Sequence, residues 1–196
     1  MKRILFVCTG NTCRSPMAEA ILRELARGRN KELEVRSAGV STVDGLPVSV
    51  HAQTVLRRIG IARTGTSTAL DGGSIGWADL ILTMTTGHKR HLLQRFPQAV
   101  DKTYTLKEFV DSDEAVLDDI AELETLYTEW QMKQALGQQL TQAERSRLLE
   151  LEQRIPGFDI ADPFGGPIAS YEESAAEIEA ALKKLLDKLD RLANGH

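Results

Sequence analysis

An unbroken apolar run, Ile4-Leu5-Phe6-Val7, ends at Cys8 and constrains the fold more than any other feature of the chain. A strand apolar at every position buries both of its faces, a pattern of parallel sheets covered by helices on either side. A few residues on, Ser15-Pro16 reads as a helix N-cap with proline at the first helical position, and Met17, Ile21, Leu22 and Leu25 recur on one helical face. The opening is therefore strand, loop, helix. Cys8 would sit at the carboxyl end of the strand, where open α/β sheets bind their ligands.

The rest of the chain repeats the alternation. Val35 to Gly39, Leu80 to Met84 and Thr103 to Thr105 read as further strands, with helices over Val48 to Ile59 and Thr86 to Phe96 between them. Ser170-Tyr171-Glu172-Glu173 has the form of a capping box, followed by Ile178, Leu182, Leu185, Leu189 and Leu192 at helical spacing. Between Val110 and Asp159 glycine becomes scarce and charge rises. Val116, Leu117, Ile120, Leu123, Leu126, Tyr127 and Trp130 form one stripe, a break falls near Gly137, and a second capping box, Thr141 to Glu144, precedes Leu148, Leu149, Leu151 and Ile155. The expected fold is α/β: a small doubly wound four-stranded parallel sheet with flanking helices, plus an inserted helical hairpin at about 113–156. Residues 1–196 are expected to form a single domain carrying that insertion.

Composition excludes several classes. Hydrophobic residues at 42% and charged residues at 27% are ordinary for a globular protein, and no apolar run is long enough to span a bilayer. A formal charge of −4 disfavours a general nucleic-acid surface, so phosphate must be held locally. Only two cysteines occur, Cys8 and Cys13, too few for a secreted disulfide framework or a structural zinc site. Reduced thiols in the cytoplasm are expected, with no membrane partner.

The segment Cys8-Thr9-Gly10-Asn11-Thr12-Cys13-Arg14-Ser15 carries the chemistry. The residues between Cys8 and Arg14 can curl so that their N–H groups converge on one centre, an anion nest opening onto a helix N-terminus. Arg14 would clamp two phosphoryl oxygens, and the same field would favour the thiolate of Cys8 as nucleophile. In-line attack on phosphorus gives a cysteinyl-phosphate that water hydrolyses, a route calling for no metal and no cofactor. A nucleotide-binding loop is the rival, but the Gly-Lys-Ser/Thr ending is missing. Asp162-Pro163-Phe164-Gly165-Gly166 is an irregular loop, and from its residues alone Asp162 reads as a turn or cap.

Val7 to Glu19 resembles the active-site segment of the low-molecular-weight protein tyrosine phosphatases, and Ser37-Ala38-Gly39, Ala78 to Leu82 and Asp162 to Gly166 match in order. The resemblance leaves out about 40 residues between Val110 and Asp159 and is closest to the bacterial protein arginine phosphatase branch. It implies that Asp162 is the general acid and that Asn11, Ser15 and Ser37 hydrogen-bond to support the loop. A histidine of that network in some relatives is replaced in the stretch Arg63 to Ser67, where Gly65 falls at its place. Thr12, where tyrosine phosphatases commonly carry a bulky aliphatic residue, and Phe164, where they commonly carry tyrosine, both follow the arginine branch. The resemblance thus implies phosphorylated protein substrates, phosphoarginine first and phosphotyrosine as the alternative.

Two further readings belong to other classes: an arsenate reductase, which needs shuttle cysteines beyond Cys13, and a non-catalytic phosphate-binding module. Cys13 is a redox candidate, either forming a disulfide with Cys8 or serving as a small packing residue. The hairpin is open to several roles: capping the pocket, contacting a protein partner, self-association, or simple packing.

Overall fold

The alternation in the first strand carries the architecture. In β1 (Lys2–Cys8), Ile4, Phe6 and Cys8 enter one core cluster and Leu5 and Val7 enter another, so both faces are buried. Burying each of these large side chains contributes about 1.5–3 kcal/mol. The computed structural model describes residues 2–62 and 65–195, and the chain divides into two compact units, Met1–Val110 with Phe158–His196, and Asp111–Gly157.

In the first unit, β2 (Leu33–Gly39), β3 (Leu80–Thr83) and β4 (Thr103–Thr105) join β1 in a four-stranded sheet of order β2-β1-β3-β4. Every pairing is parallel, with Cys8 opposite Gly39 and Val7 opposite Thr83. Chain order reverses between β1 and β3, so the loops after these two strands border the crevice where doubly wound sheets bind ligands. On one face lie α1 (Arg14–Gly28), α2 (Val50–Arg58) and α8 (Ile168–Ala193), sharing a cluster of Met17, Ile21, Leu56, Ile178 and Leu182 with Ile4 and Phe6. On the other, α3 (Gly72–Trp77) and α4 (Thr86–Arg95) bring Ile75 and Leu92 against Leu5, Val7 and Ile81. A 3₁₀ turn (Pro97–Lys102) precedes β4, and α5 (Leu106–Asp111) follows it.

Two expected caps are not formed. Helix α1 begins at Arg14 with Cys13 as its N-cap, Met17 N donating to Cys13 O at 3.2 Å, so Ser15 lies inside the first turn. Its hydroxyl is engaged elsewhere, as described below. Pro16 is still tolerated, because first-turn N–H groups have no intrahelical acceptor. Helix α8 starts at Ile168 after Pro167, and Ser170 N donates to Pro167 O at 3.0 Å, which places Ser170 within the helix rather than before it. Leu192, expected on the buried face of α8, is exposed.

The second unit pairs α6 (Glu114–Ala135) with α7 (Gln142–Arg154). Asp113 caps α6 by accepting from Val116 N at 3.0 Å, and Gly137 supplies the positive φ of 69° that ends the helix. The Thr141/Glu144 capping box is complete, with bonds of 3.2 and 2.7 Å. Ile120, Leu123, Leu140 and Leu151 are buried, whereas Trp130 and Leu149, expected on the apolar stripe, are 37% and 56% exposed. Ion pairs Arg147–Glu122 and Arg154–Asp119, each 2.6 Å, join the two helices.

Candidate active site

Four carbonyls define the loop after β1. Those of Cys8, Thr9, Thr12 and Cys13 accept from the N–H groups of Val40 (2.9 Å), Ser41 (3.0 Å), Ser49 (2.9 Å) and Met17 (3.2 Å). In a trans peptide the carbonyl of one residue and the N–H of the next point in opposite directions. The N–H groups of Thr9, Gly10, Cys13 and Arg14 are therefore turned away from these anchors, as an anion nest requires. The nest opens onto the N-terminus of α1, whose first turn contains no acidic residue to offset the partial positive charge.

The sulfur of Cys8 lies 2.9 Å from Ser15 Oγ, and Asn11 Nδ2 lies 2.8 Å from the same oxygen. An amide nitrogen only donates, so Ser15 Oγ accepts from Asn11; toward a Cys8 thiolate, which has no hydrogen to give, Ser15 Oγ is the donor. Asn11 is left-handed, with φ 55°, a conformation that costs a non-glycine residue about 1–3 kcal/mol. Two side-chain bonds hold it there, to Ser15 and from Thr68 N to Asn11 Oδ1 at 2.8 Å. Arg63 and Thr64, part of the stretch in which the relatives' histidine is replaced, lie outside the described residues. Ser37 is placed away from this network: its hydroxyl donates to Glu19 Oε2 at 2.5 Å rather than to Asn11 or Ser15.

Arg14 is 4% exposed and reaches the other wall of the pocket. One guanidinium nitrogen donates to Ile160 O at 2.9 Å, and another stands 3.3 Å from Asp162 Oδ2. Asp162 is also a turn residue, its Oδ1 accepting from Phe164 N at 3.2 Å. One carboxylate thus shapes its loop with one oxygen and faces Arg14 with the other. The turn continues through Gly165, whose φ of 77° suits the third position of a type II turn, to Gly166 N bonded to Pro163 O at 2.9 Å. Phe164 occupies the corner of that turn and is 76% exposed. Ile160 N to Met84 O (2.9 Å) and Ser174 Oγ to Ala161 O (3.1 Å) fix the segment leading into it.

Thr12 is half-buried at the loop rim. Cys8 and Cys13 are free thiols, and Cys13 Sγ lies 3.5 Å from Tyr171 Oη on α8. Burial, and then this contact with Cys13, push the Tyr171 phenol up from its ordinary range. Among the described residues no cluster of His, Cys, Asp and Glu could hold a metal ion.

Three features escaped the sequence reading. Gly39 is forced by contact: a Cβ there would come 2.6 Å from Thr9 O and 3.1 Å from Asn11 N. Thr68 contributes only its backbone, which no residue pattern marks. His88, in the first turn of α4, places Nε2 2.8 Å from Thr9 Oγ1. Burial, then the positive charge of Arg14, lower its imidazole from 6.5 to about 4, against the opposing influence of Asp162 and Asp159. No local pattern marks His88 for the site: its place opposite Thr9 follows from β3 lying beside β1 in the sheet.

A free thiol at the end of β1, set in a nest of amides and followed by a buried guanidinium, suits phosphoryl transfer. Comparison with known proteins narrows the class. Residues 3–131 match the family described as low molecular weight phosphotyrosine protein phosphatase. A protein-arginine-phosphatase of Geobacillus stearothermophilus is 40% identical over 190 residues, spanning 95% of each chain. A low molecular weight protein-tyrosine-phosphatase of Acinetobacter johnsonii is 39% identical over 106 residues, 54% of this chain and 72% of that one. The solved structure of an arginine phosphatase from Geobacillus stearothermophilus superposes with a TM-score of 0.72 at 38% identity, covering 100% of this chain and 97% of that one. The chain belongs to the low molecular weight phosphotyrosine protein phosphatase family, and its activity is that of a protein phosphatase acting on phosphorylated proteins.

Proposed function

We propose that this protein is a protein arginine phosphatase using Cys8 as nucleophile, Arg14 as phosphate clamp and Asp162 as general acid. The observation carrying the reading is the Asp162 carboxylate, which meets Arg14 through Oδ2 at 3.3 Å while remaining open to the pocket mouth. Such a carboxylate can accept N–H bonds from a substrate guanidinium and then, in its protonated form, give its proton to the departing nitrogen. The sulfur of Cys8 attacks phosphorus, the P–N bond breaks, arginine leaves with the proton from Asp162, and a cysteinyl-phosphate remains. Water, losing a proton to Asp162, then releases phosphate and returns sulfur with its electron pair. The loop amides of Thr9 to Ser15 and the two guanidinium nitrogens would hold the phosphoryl oxygens throughout.

Thr12 at the rim supports arginine, because a short hydroxyl side chain offers a planar polar group more than a bulky aliphatic one would. The relative named protein-arginine-phosphatase, similar over nearly the whole chain, supports it as well. A tyrosine phosphatase on the same site is the second reading, favoured by the exposed ring of Phe164, which would stack on a phenyl group. Thr12→Ile separates the two: phosphotyrosine turnover should rise relative to phosphoarginine turnover, and an unchanged ratio removes Thr12 as the discriminator. The same reading places the enzyme in the cytoplasm, where thiols stay reduced, without nucleic-acid or membrane partners. Asp111–Gly157 is read as an appendage of one phosphatase domain, available for protein or self contact. No helix among the described residues is long and apolar enough to cross a membrane.

A further inference from the structure

The loops after β1 and β3 face each other across the crevice at the point where strand order reverses, and one side-chain hydrogen bond spans them. Thr9 follows the nucleophile directly and is exposed, whereas Cys8, on the buried strand, is not. Its backbone is pinned through Ser41 N, which donates to Thr9 O at 3.0 Å. From the opposite loop His88, 7% exposed, presents Nε2 at 2.8 Å from Thr9 Oγ1. The His88 backbone is fixed in turn, its N–H donating to the N-capping Thr85 Oγ1 at 3.1 Å. The charges of Arg14, Asp162 and Asp159 all act on His88.

The tautomer follows from the surroundings. His88 Nδ1 is buried and has no hydrogen-bond partner among the described residues. A proton there would be an unpaired buried donor, so the proton resides on Nε2 and is donated to Thr9 Oγ1. That leaves the threonine hydroxyl one hydrogen to give and one lone pair to receive with, both at the pocket mouth. A guanidinium leaving group carrying phosphate satisfies both: its N–H donates to Oγ1, and a phosphoryl oxygen accepts from the hydroxyl. A phenyl ring supplies no N–H donor, and the lone pair is stranded against it. A polar group left unpaired discriminates between substrates far more strongly than a difference in apolar contact.

We propose that His88 is a positioning residue for substrate choice, orienting the Thr9 hydroxyl so that the site prefers a hydrogen-bonding guanidinium to an aromatic leaving group. The inference rests on the arginine phosphatase reading and adds a second specificity element, independent of Thr12.

The test uses the full chain with a phosphoarginine peptide and a phosphotyrosine peptide of the same sequence, comparing kcat/KM for each. His88→Leu should lower the phosphoarginine-to-phosphotyrosine ratio by about tenfold, the loss of one oriented hydrogen bond to a charged group. His88→Gln, which can place an amide N–H near the position of Nε2, should restore most of the ratio. Thr9→Val should lower the ratio similarly, and the double variant with His88→Leu should fall no further, because both remove one interaction. Should His88→Leu fold poorly, His88→Asn, whose shorter amide does not reach Thr9 Oγ1, takes its place with the same expected fall in the ratio. Equal losses on both substrates, or an unmoved ratio, overturn the role of His88. If the parent enzyme does not hydrolyse phosphoarginine, the proposed function fails and this inference falls with it; turnover with an unmoved ratio removes the inference alone.

Discussion

Replacing Ser15 by alanine should slow the breakdown of the cysteinyl-phosphate more than its formation. Asn11 Nδ2 donates to Ser15 Oγ at 2.8 Å, and a thiolate at Cys8, 2.9 Å from that oxygen and without a hydrogen of its own, accepts the serine hydrogen. During breakdown that sulfur leaves with an electron pair, and a hydrogen bond to a charged group is worth about 1.5–3 kcal/mol. At 1.36 kcal/mol per tenfold change, Ser15→Ala should reduce the second step by roughly 10- to 150-fold. Rapid-quench kinetics should show a burst of arginine release equal to the enzyme concentration, followed by a slow steady state. Asn11 also loses a buried acceptor, so urea unfolding should report a destabilisation of about 1–3 kcal/mol. Ser15→Thr, which keeps a hydroxyl, should recover part of both effects. A steady-state rate within about twofold of the parent, with no burst, would refute the assigned direction of the hydroxyl.

Arg14→Lys keeps the charge but loses the planar fork that meets Ile160 O and Asp162; kcat/KM should fall by at least about a thousandfold, and competitive inhibition by phosphate should weaken in parallel. Gly39→Ala would place a Cβ 2.6 Å from Thr9 O, so unfolding experiments should show a loss of about 1–3 kcal/mol together with a large fall in turnover. His88 is lowered to about 4, below its unfolded value, so between about pH 6.5 and 4 the unfolded chain binds a proton that the folded one does not. Its stabilising contribution is therefore complete above about pH 6.5 and lost on acidification toward pH 4, on the order of 2 kcal/mol, and His88→Gln should flatten that part of the stability profile. Replacing residues 113–156 by a short linker and measuring turnover and solution mass tests the appendage: retained turnover with an unchanged number of subunits leaves it neither a catalytic nor an assembly role.

The four strands and the principal helices were legible because they depend on period and punctuation within a few residues. Ile4 to Val7 could only be a doubly buried strand, and Gly137 with the Thr141/Glu144 box marked the turn of the hairpin. Cys8 and Arg14 were legible because their geometry is local, set by the loop between a strand and a helix. Ser15 reads locally as a cap, and that propensity is overridden by its contacts with Cys8 and Asn11, which give it the loop-supporting part that the resemblance implies. Ser170 failed as a cap because the helix is already under way at Ile168, behind Pro167. Asp162 needed family resemblance, since the segment it belongs to meets Arg14 only through tertiary structure, Arg14 and Ile160 being 146 positions apart. Ser37 was assigned to the loop network and instead serves Glu19, a choice made by side-chain direction in a strand. Gly39 and His88 were illegible for the same reason: their meaning depends on which loops lie beside the first strand, and only the sheet order β2-β1-β3-β4 supplies that.

The most direct test compares phosphate release from phosphoarginine and phosphotyrosine forms of one protein, with the parent enzyme and Cys8→Ser side by side. The expected result is a higher kcat/KM on phosphoarginine and loss of both activities in Cys8→Ser. A preference for phosphotyrosine would contradict the arginine reading, and turnover surviving in Cys8→Ser would contradict the nucleophile itself.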